Sequence, residues 1–167
     1  MLFILLGEDD FSIRQSLEEM KKGLGDPALL SANTVNLEGE RLTLEEPLVL
    51  AGDFNVIPAA ADARRPEAWV KDALFLPQTR EKFRALLNLG LTDAIRATSD
   101  APDLYSFWDY QAGSWPKNDG IRIDHLLLSP QAADRLTDAG IDRHVRSWDK
   151  PSDHVPVFVD LDIEGRA

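Results

Sequence analysis

The stretch Leu48-Val-Leu-Ala-Gly-Asp-Phe-Asn55 decides how this chain is to be read. Its unbroken apolar start predicts a buried strand over Leu48–Ala51, and the strand ends in Gly52-Asp53-Phe54-Asn55, which sets a carboxylate and an amide just beyond it. Toward the C-terminus, Thr79–Leu89 reads as a helix capped by Thr79, with Phe83, Leu86 and Leu87 on one face and Gly90 as its stop. Tyr105–Tyr110 is aromatic and strand-like, and Ile121–Leu128 is a further strand. Pro130–Leu136 follows as a helix behind the N-cap Ser129, then Ile141–Ser147 as an edge strand and Val155–Ile163 as a last strand. Strands alternating with helices predict an α/β fold, layered in the α+β manner.

Working back toward the N-terminus, Leu2–Leu6 reads as a short strand and Ser12–Leu24 as an amphipathic helix closed by Gly25. Asn33–Leu37 suits a second strand. Thr43 and Glu46 have the spacing of a capping box, yet Pro47 and the strand at Leu48 follow at once, so Glu45–Leu48 reads as a junction. The expected organisation is a strand-helix-strand segment over 1–47 and a separate domain over 48–167.

The 167 residues, 44% of them apolar, suit one ordinary domain or a domain with a small appendage. Four Trp and seven Phe against ten Gly and ten Pro argue against disorder. With no cysteine, disulfide frameworks and thiolate zinc sites are excluded. The apolar opening is too short for a signal peptide and runs into Glu8, Asp9 and Asp10, so a cytoplasmic location without membrane association is expected. The net charge of -11 opposes general duplex binding, but an enzyme that meets phosphates through divalent cations needs acidic ligands.

Three motifs carry candidate chemistry, each placing a carboxylate where a strand is expected to stop: Gly52-Asp-Phe-Asn55, Arg122-Ile-Asp124 and Ser152-Asp-His154. Phosphodiester hydrolysis needs a held water, a base, a hard cation for the non-bridging oxygens and a donor for the developing charge. Asp and Asn oxygens suit Mg²⁺ or Mn²⁺, and the three motifs hold all of these groups. Taken singly, each also fits a bland role: a plain turn, a salt-bridged strand end, or an Asx-turn beside a surface histidine. His125 is expected on the opposite face from Asp124 by strand alternation, and His144 outside the site.

The blocks LVLAGDFNVIP at 48–58, ALFLPQTREKFRALLNLGLTDAIR at 73–96, FWDY at 107–110, NDGIRIDHLLLS at 118–129 and KPSDHVPVFVDL at 150–161 together resemble one family. They are similar to the C-terminal half of the exonuclease III and apurinic endonuclease family, within the endonuclease/exonuclease/phosphatase superfamily. That resemblance implies half of a four-layer αββα sandwich. It implies Mg²⁺-dependent hydrolysis of DNA, at abasic sites and 3′ ends of duplexes, in base excision repair. Asp53 would hold and activate the attacking water, Asn55 would bond the scissile phosphate, and His154 would meet phosphate or water while paired with Asp124. Asp153, with His154 and Asp53, would form the metal shell, and Phe107 and Trp108 would wall the pocket for a flipped-out sugar. Core packing is the alternative role for those two aromatics.

The family's N-terminal half would supply an Asn, a metal-binding Glu and a Tyr, none of which stands before Leu48. Residues 1–46 instead resemble the N-terminus of the DNA polymerase III delta subunit, mainly through Gly7-Glu-Asp-Asp-Phe11 after an apolar strand. The Gly-Lys-Ser/Thr phosphate loop is absent, so ATP hydrolysis is not expected. A hybrid chain is expected, with weak or absent nuclease activity. A sheet face left wet for lack of a partner sheet would cost on the order of 10 kcal/mol at about 25 cal/mol per Å², so self-association through that face is expected too. The rival functions are a non-catalytic module that docks to a clamp-loader partner, and a superfamily phosphatase acting on another phosphate ester.

Overall fold

In the computed structural model, residues 47–162 are described, and they belong to one compact unit. The expected elements between Leu2 and Leu37, and the end of the last strand at Ile163, lie outside the described residues.

Strand β1 is Val49–Asp53, one residue later than expected at its start and two longer at its end. It enters the sheet tied to Ser129: Leu48 N donates to Ser129 Oγ at 3.0 Å, and Ser129 N donates back to Leu48 O at 2.9 Å. β1 runs antiparallel to β3 (Asp124–Leu128), with Val49 opposite Leu128 and Asp53 opposite Asp124. The short β2 (Thr92–Asp93) pairs with the other edge of β3, giving the order β1-β3-β2. A separate antiparallel ribbon joins β4 (Leu136–Ile141) to β5 (Val157–Leu161). Gly140 is required there, because a Cβ on it would meet the Phe158 ring at 2.6 Å.

The central strand β3 is covered on both faces, as its His-Leu-Leu-Leu run demands. One face, with Leu126 and Leu128, packs against Val157, Val159 and Leu161 of β5 and against Ala94 and Ala132. The short helices α3 (Ala94–Thr98) and α4 (Pro130–Ala133) supply those two alanines. The other face, with Leu127, packs against Phe83, Leu86 and Leu87 of the helix α2 (Pro77–Asn88). Helix, sheet and ribbon thus form layers. Leu126 and Leu128 are 5% and 0% exposed, so the expected wet face does not extend to the central strand.

Several elements differ from expectation, among them the strand expected at Ile121–Leu128, which begins only at Asp124, and the last strand, which begins at Val157 and not Val155. Helix α2 begins at Pro77, not Thr79, since a proline at the first helical position loses no hydrogen bond; the Thr79 hydroxyl donates instead to Ala73 O at 2.7 Å. Gly90 ends that helix as expected, at φ 98° with its N–H donating to Leu87 O. The helix after Ser129 stops at Ala133, which frees Leu136 to open β4. Ile141–Ser147 is not an edge strand: Asp142 N donates to Pro156 O to close the ribbon, and Arg143–Ser147 coils into a 3-10 helix. Tyr105–Tyr110 forms no regular strand and is held by single bridges at Phe107, to Ile121 and to His154. Two short helices were not expected, α3 (Ala94–Thr98) and α1 (Pro66–Trp69), the latter following the 3-10 turn Ala60–Asp62.

Candidate active site

Antiparallel pairing assembles the site differently from the expected row of strand ends. Asp53 closes β1, but Asp124 opens β3, and the register sets the two directly opposite each other. Residues opposed in this way share a sheet face, with Cβ atoms about 5 Å apart. His154 lies ahead of β5 and reaches the pair through extended backbone. Phe107 bridges His154 on one side and Ile121 on the other, while Trp108 N donates to Asp153 O at 2.9 Å and Val155 N to Ser106 O at 2.9 Å.

The His154 ring meets Asp124 through Nδ1, at 2.9 Å from Oδ2 and 3.2 Å from Oδ1. A carboxylate can only accept, so Nδ1 carries the proton, and Nε2 is the nitrogen left to accept from a water or, when the ring is protonated, to donate to a phosphate oxygen. The Asp124 side chain is 14% exposed and that of His154 33%, so the pair stands at the boundary between core and solvent. Burial pushes the Asp124 carboxyl above the usual carboxylate range, and the charge of Asp53 opposite adds to the rise. Hydrogen bonds to Ser106 and His154 pull the other way without cancelling it.

Asn55 sits at φ 51°, a left-handed conformation that asparagine tolerates better than most residues. Its backbone N and Nδ2 donate to Asp53 Oδ1 and Oδ2 at 2.9 and 3.1 Å. The motif is therefore a turn and a constellation at once: the bonds that shape the loop also orient the carboxylate. Asp153 accepts from Ser152 Oγ at 3.3 Å, and the same hydroxyl accepts from His154 N at 3.1 Å.

The aromatic pair divides. Phe107 is half-buried, its ring centroid 5.0 Å from that of His154 with the planes at 64°. Trp108 is corrected: it is 0% exposed, edge-on to Tyr105 and Trp115, with its indole N–H donating to Asn118 Oδ1 at 3.3 Å. Its ring lies so close to Gly120 that a Cβ there would meet Nε1 at 2.5 Å. In this position Trp108 backs the wall and cannot face a sugar.

The residues expected to hold the metal are Asp53, Asp153 and His154. Among the described residues no group of three or more His, Asp or Glu is placed to hold a metal ion. The oxygens of Asp53 are engaged by Asn55, and His154 Nδ1 by Asp124. The donor set still fits Mg²⁺ in its commoner mode, in which one or two carboxylates share the ion with waters and substrate phosphate.

Sequence reasoning missed what holds Asp124 in place. The buried Ser106 Oγ accepts from Ile123 N and Asp124 N at 3.2 and 3.1 Å. Behind it Arg122, 1% exposed, donates Nε to Asp62 Oδ1 at 2.8 Å and Nη1 to Asp93 Oδ2 at 2.7 Å. Arg96 joins on Asp62 at 2.7 Å. Burial raises the Asp62 carboxyl, but Arg122 and Arg96 outweigh it and hold the group below its ordinary value. The signal available was Arg122 itself, a cation two residues before Asp124 at the mouth of an apolar strand. His125 lies away from the site as expected, packed on Phe83 at 4.6 Å between centroids.

This geometry has relatives. The family model described as "Endonuclease/Exonuclease/phosphatase family" matches residues 23–154. Exodeoxyribonuclease III of Haemophilus influenzae is 34% identical over 122 residues, covering 69% of this chain and 46% of that protein. Among solved structures, the 3′ phosphatase NExo from Neisseria, bound to product DNA hairpin, superposes with a TM-score of 0.67 at 40% identity, over 70% of this chain and 45% of that one. An AP endonuclease from Archaeoglobus fulgidus superposes with a TM-score of 0.69 at 26% identity, over 94% and 56%. The chain spans about half the length of the curated relatives it matches. Among the described residues no helix is long and apolar enough to cross a membrane. With the family model covering most of its length and the Asp53, Asp124 and His154 motifs inside the matched region, the chain belongs to the endonuclease/exonuclease/phosphatase family.

Proposed function

We propose that this chain carries one half of the active site of a DNA phosphodiesterase of the exonuclease III and abasic-site endonuclease type, dependent on Mg²⁺ or Mn²⁺ and working in base excision repair. The observation that supports this reading best is the 2.9 Å bond from His154 Nδ1 to Asp124, beside an Asp53 opposed to Asp124 in register. In this reading Asp53 orients the attacking water and takes its proton. The water oxygen bonds to phosphorus as the bond to the 3′ oxygen breaks, and the leaving 3′ oxygen takes a proton from solvent water. The protonated His154 ring, held by Asp124, donates from Nε2 to a phosphate oxygen, and the Asn55 amide donates to the same phosphate. Phe107 rims the pocket for the sugar. Asp53 and Asp153, with His154 beside them, would hold the divalent cation, whose chemistry is to neutralise phosphate charge.

Residues 1–47 are taken as a separate segment of the delta-subunit type, and 48–167 as the nuclease half. Cleavage by this chain is expected to be weak, and self-association through exposed sheet surface accompanies it. The test is a Mg²⁺ assay on an abasic-site duplex, with the Asp53→Asn variant in parallel and the oligomeric state measured by sedimentation. Weak cleavage that disappears in the variant supports the reading. Cleavage that survives Asp53→Asn rejects the site, and a monomer as fast as full-length relatives rejects the impairment.

A second reading draws on the Neisseria relative that is a 3′ phosphatase. The same groups would then remove a terminal phosphate from a DNA 3′ end. Release of inorganic phosphate from a 3′-phosphorylated strand, with no cleavage of the abasic duplex, would favour it.

A further inference from the structure

Away from the Asp53 and His154 site, an open cavity of about 340 Å³ is lined by Arg64, Arg65, Ala112, Lys117 and Asp119. Three cations and one carboxylate line this small space; Arg64 also pairs with Asp103 at 3.5 Å, and Lys117 Nζ donates to Ala112 O at 2.7 Å. Asp119 accepts a forked pair of hydrogen bonds from Arg65, from Nε at 3.0 Å and from Nη2. Arg65 holds the Asp119 carboxyl well below the usual range, and Lys117 and Arg64 add to the effect. A fork of this kind suits a phosphate as well as a carboxylate.

The cavity is joined to the catalytic residues by a short run of extended segments. Ala63 bridges Ile121, Ile121 bridges Phe107, and Phe107 bridges His154. Arg64 N donates to Gly120 O at 3.0 Å, which fixes the start of the basic stretch on this run. Three inter-strand steps amount to about 14 Å. A nucleic-acid strand rises about 3.4 Å per nucleotide, so one strand could span both places within a few nucleotides.

We propose that this cavity is a second phosphate subsite for the nucleic-acid strand, and that Asp119 is its internal competitor, occupying the Arg65 fork and limiting affinity. The identity of the phosphate's source rests on the nuclease reading given above; the anion site itself does not. The Arg65 side chain is 60% exposed and that of Asp119 19%, so the fork opens to solvent on the arginine side, where a phosphate can reach it. A plain loop staple between Arg65 and Asp119 is the competing explanation, and it makes the opposite prediction for removal of the carboxylate.

The experiment uses the full chain in EDTA, where no cleavage interferes. Binding of a fluorescent abasic-site oligonucleotide is followed by anisotropy at several salt concentrations, and inorganic phosphate alone is titrated against the Arg65 Nε–H NMR signal. Asp119→Asn should tighten oligonucleotide binding about three- to fivefold at low salt and shift the Arg65 signal at lower phosphate concentration. Arg65→Ala should loosen binding and reduce the salt slope by about one, with Arg65→Lys intermediate. Unchanged or weaker binding in Asp119→Asn, at an unchanged melting temperature, would overturn the proposal. Tighter phosphate binding without tighter oligonucleotide binding would overturn it as well, because the cavity would not serve the strand. If the binding pattern holds and Mg²⁺-dependent cleavage survives Asp53→Asn, the nuclease site is rejected and the subsite stands.

Discussion

Asp124 and His125 are neighbours in β3, yet each belongs to a different histidine pair on a different face of the sheet. His154 with Asp124 stands half-exposed, an imidazole beside an anion. His125 is 0% exposed and lies beside a cation: Arg122 Nη1 is 3.1 Å from its Nδ1, and its Nε2 is 3.0 Å from Val56 O. Arginine can only donate, so Nδ1 of His125 accepts, Nε2 carries the proton, and the ring is neutral. Burial first, and the Arg122 charge next, push the His125 imidazole down to about 4. The same side chain becomes a reacting group or a structural one according to the sign of its neighbour and its access to water.

The largest effect is expected at the pair that meets solvent. His154→Ala should cut whatever Mg²⁺-dependent cleavage the chain shows by about 10²- to 10⁴-fold, the usual range for a lost acid-base group. Its stability, followed by urea unfolding, should change by no more than about 1 kcal/mol, since the ring is partly solvated. A stability loss as large as that from a core truncation would show that His154 is structural after all.

At the buried group the effect should fall on stability. Arg122→Ala leaves Asp62 and Asp93 without their shared partner and should cost about 3–5 kcal/mol in a urea titration. Phe83→Ala opens a cavity between α2 and the sheet and sets the scale for a purely apolar loss, again about 3–5 kcal/mol. If the arginine variant cost much less than this, the network would be dispensable, and the Asp124 end of β3 would need another anchor.

A smaller effect belongs to the buried histidine and appears with pH. His125 has a folded value of about 4 against an ordinary 6.5, so between those limits the unfolded chain binds a proton that the folded chain does not. Stability should therefore fall as pH drops from about 6.5 toward 4, with nothing lost from this source above that window. The groups facing the ring are Arg122, Asp93 and Asp62. Asp62, with its folded value lowered, adds stability that is lost only at more acid pH, below its ordinary 3.8. His125→Phe should flatten the upper part of this acid limb, read as stability from urea unfolding between about pH 6.5 and 4. A limb of unchanged slope in that variant would show that its source lies elsewhere.

Much of the site was legible because it is written in short local motifs. Gly52-Asp-Phe-Asn55 shapes its own turn through bonds two residues apart, and Ser152-Asp-His154 does likewise. The placing of His125 away from Asp124 followed from strand alternation alone. Trp108 was misread because adjacent aromatics in an extended segment look alike in sequence; what sends Phe107 to the site and Trp108 to the core is the bare Cα of Gly120, twelve residues on. The strand expected at Ile141–Ser147 failed because its apolar alternation is shared with a 3-10 turn that aims Arg143 and Arg146 at Trp108 and Tyr110.

By itself the sequence determined which residue types carry the chemistry, which runs are apolar enough to become the central strand, and which family the motifs belong to. The tertiary structure alone decided that the strands run antiparallel, so that the end of β1 meets the beginning of β3. It also decided that Arg122 and Asp62, sixty residues apart, form a buried pair behind the site. The division has a physical basis. Turns, caps and periodicity depend on bonds within a few residues, whereas register and buried charge pairs depend on groups that meet only after the layers have closed.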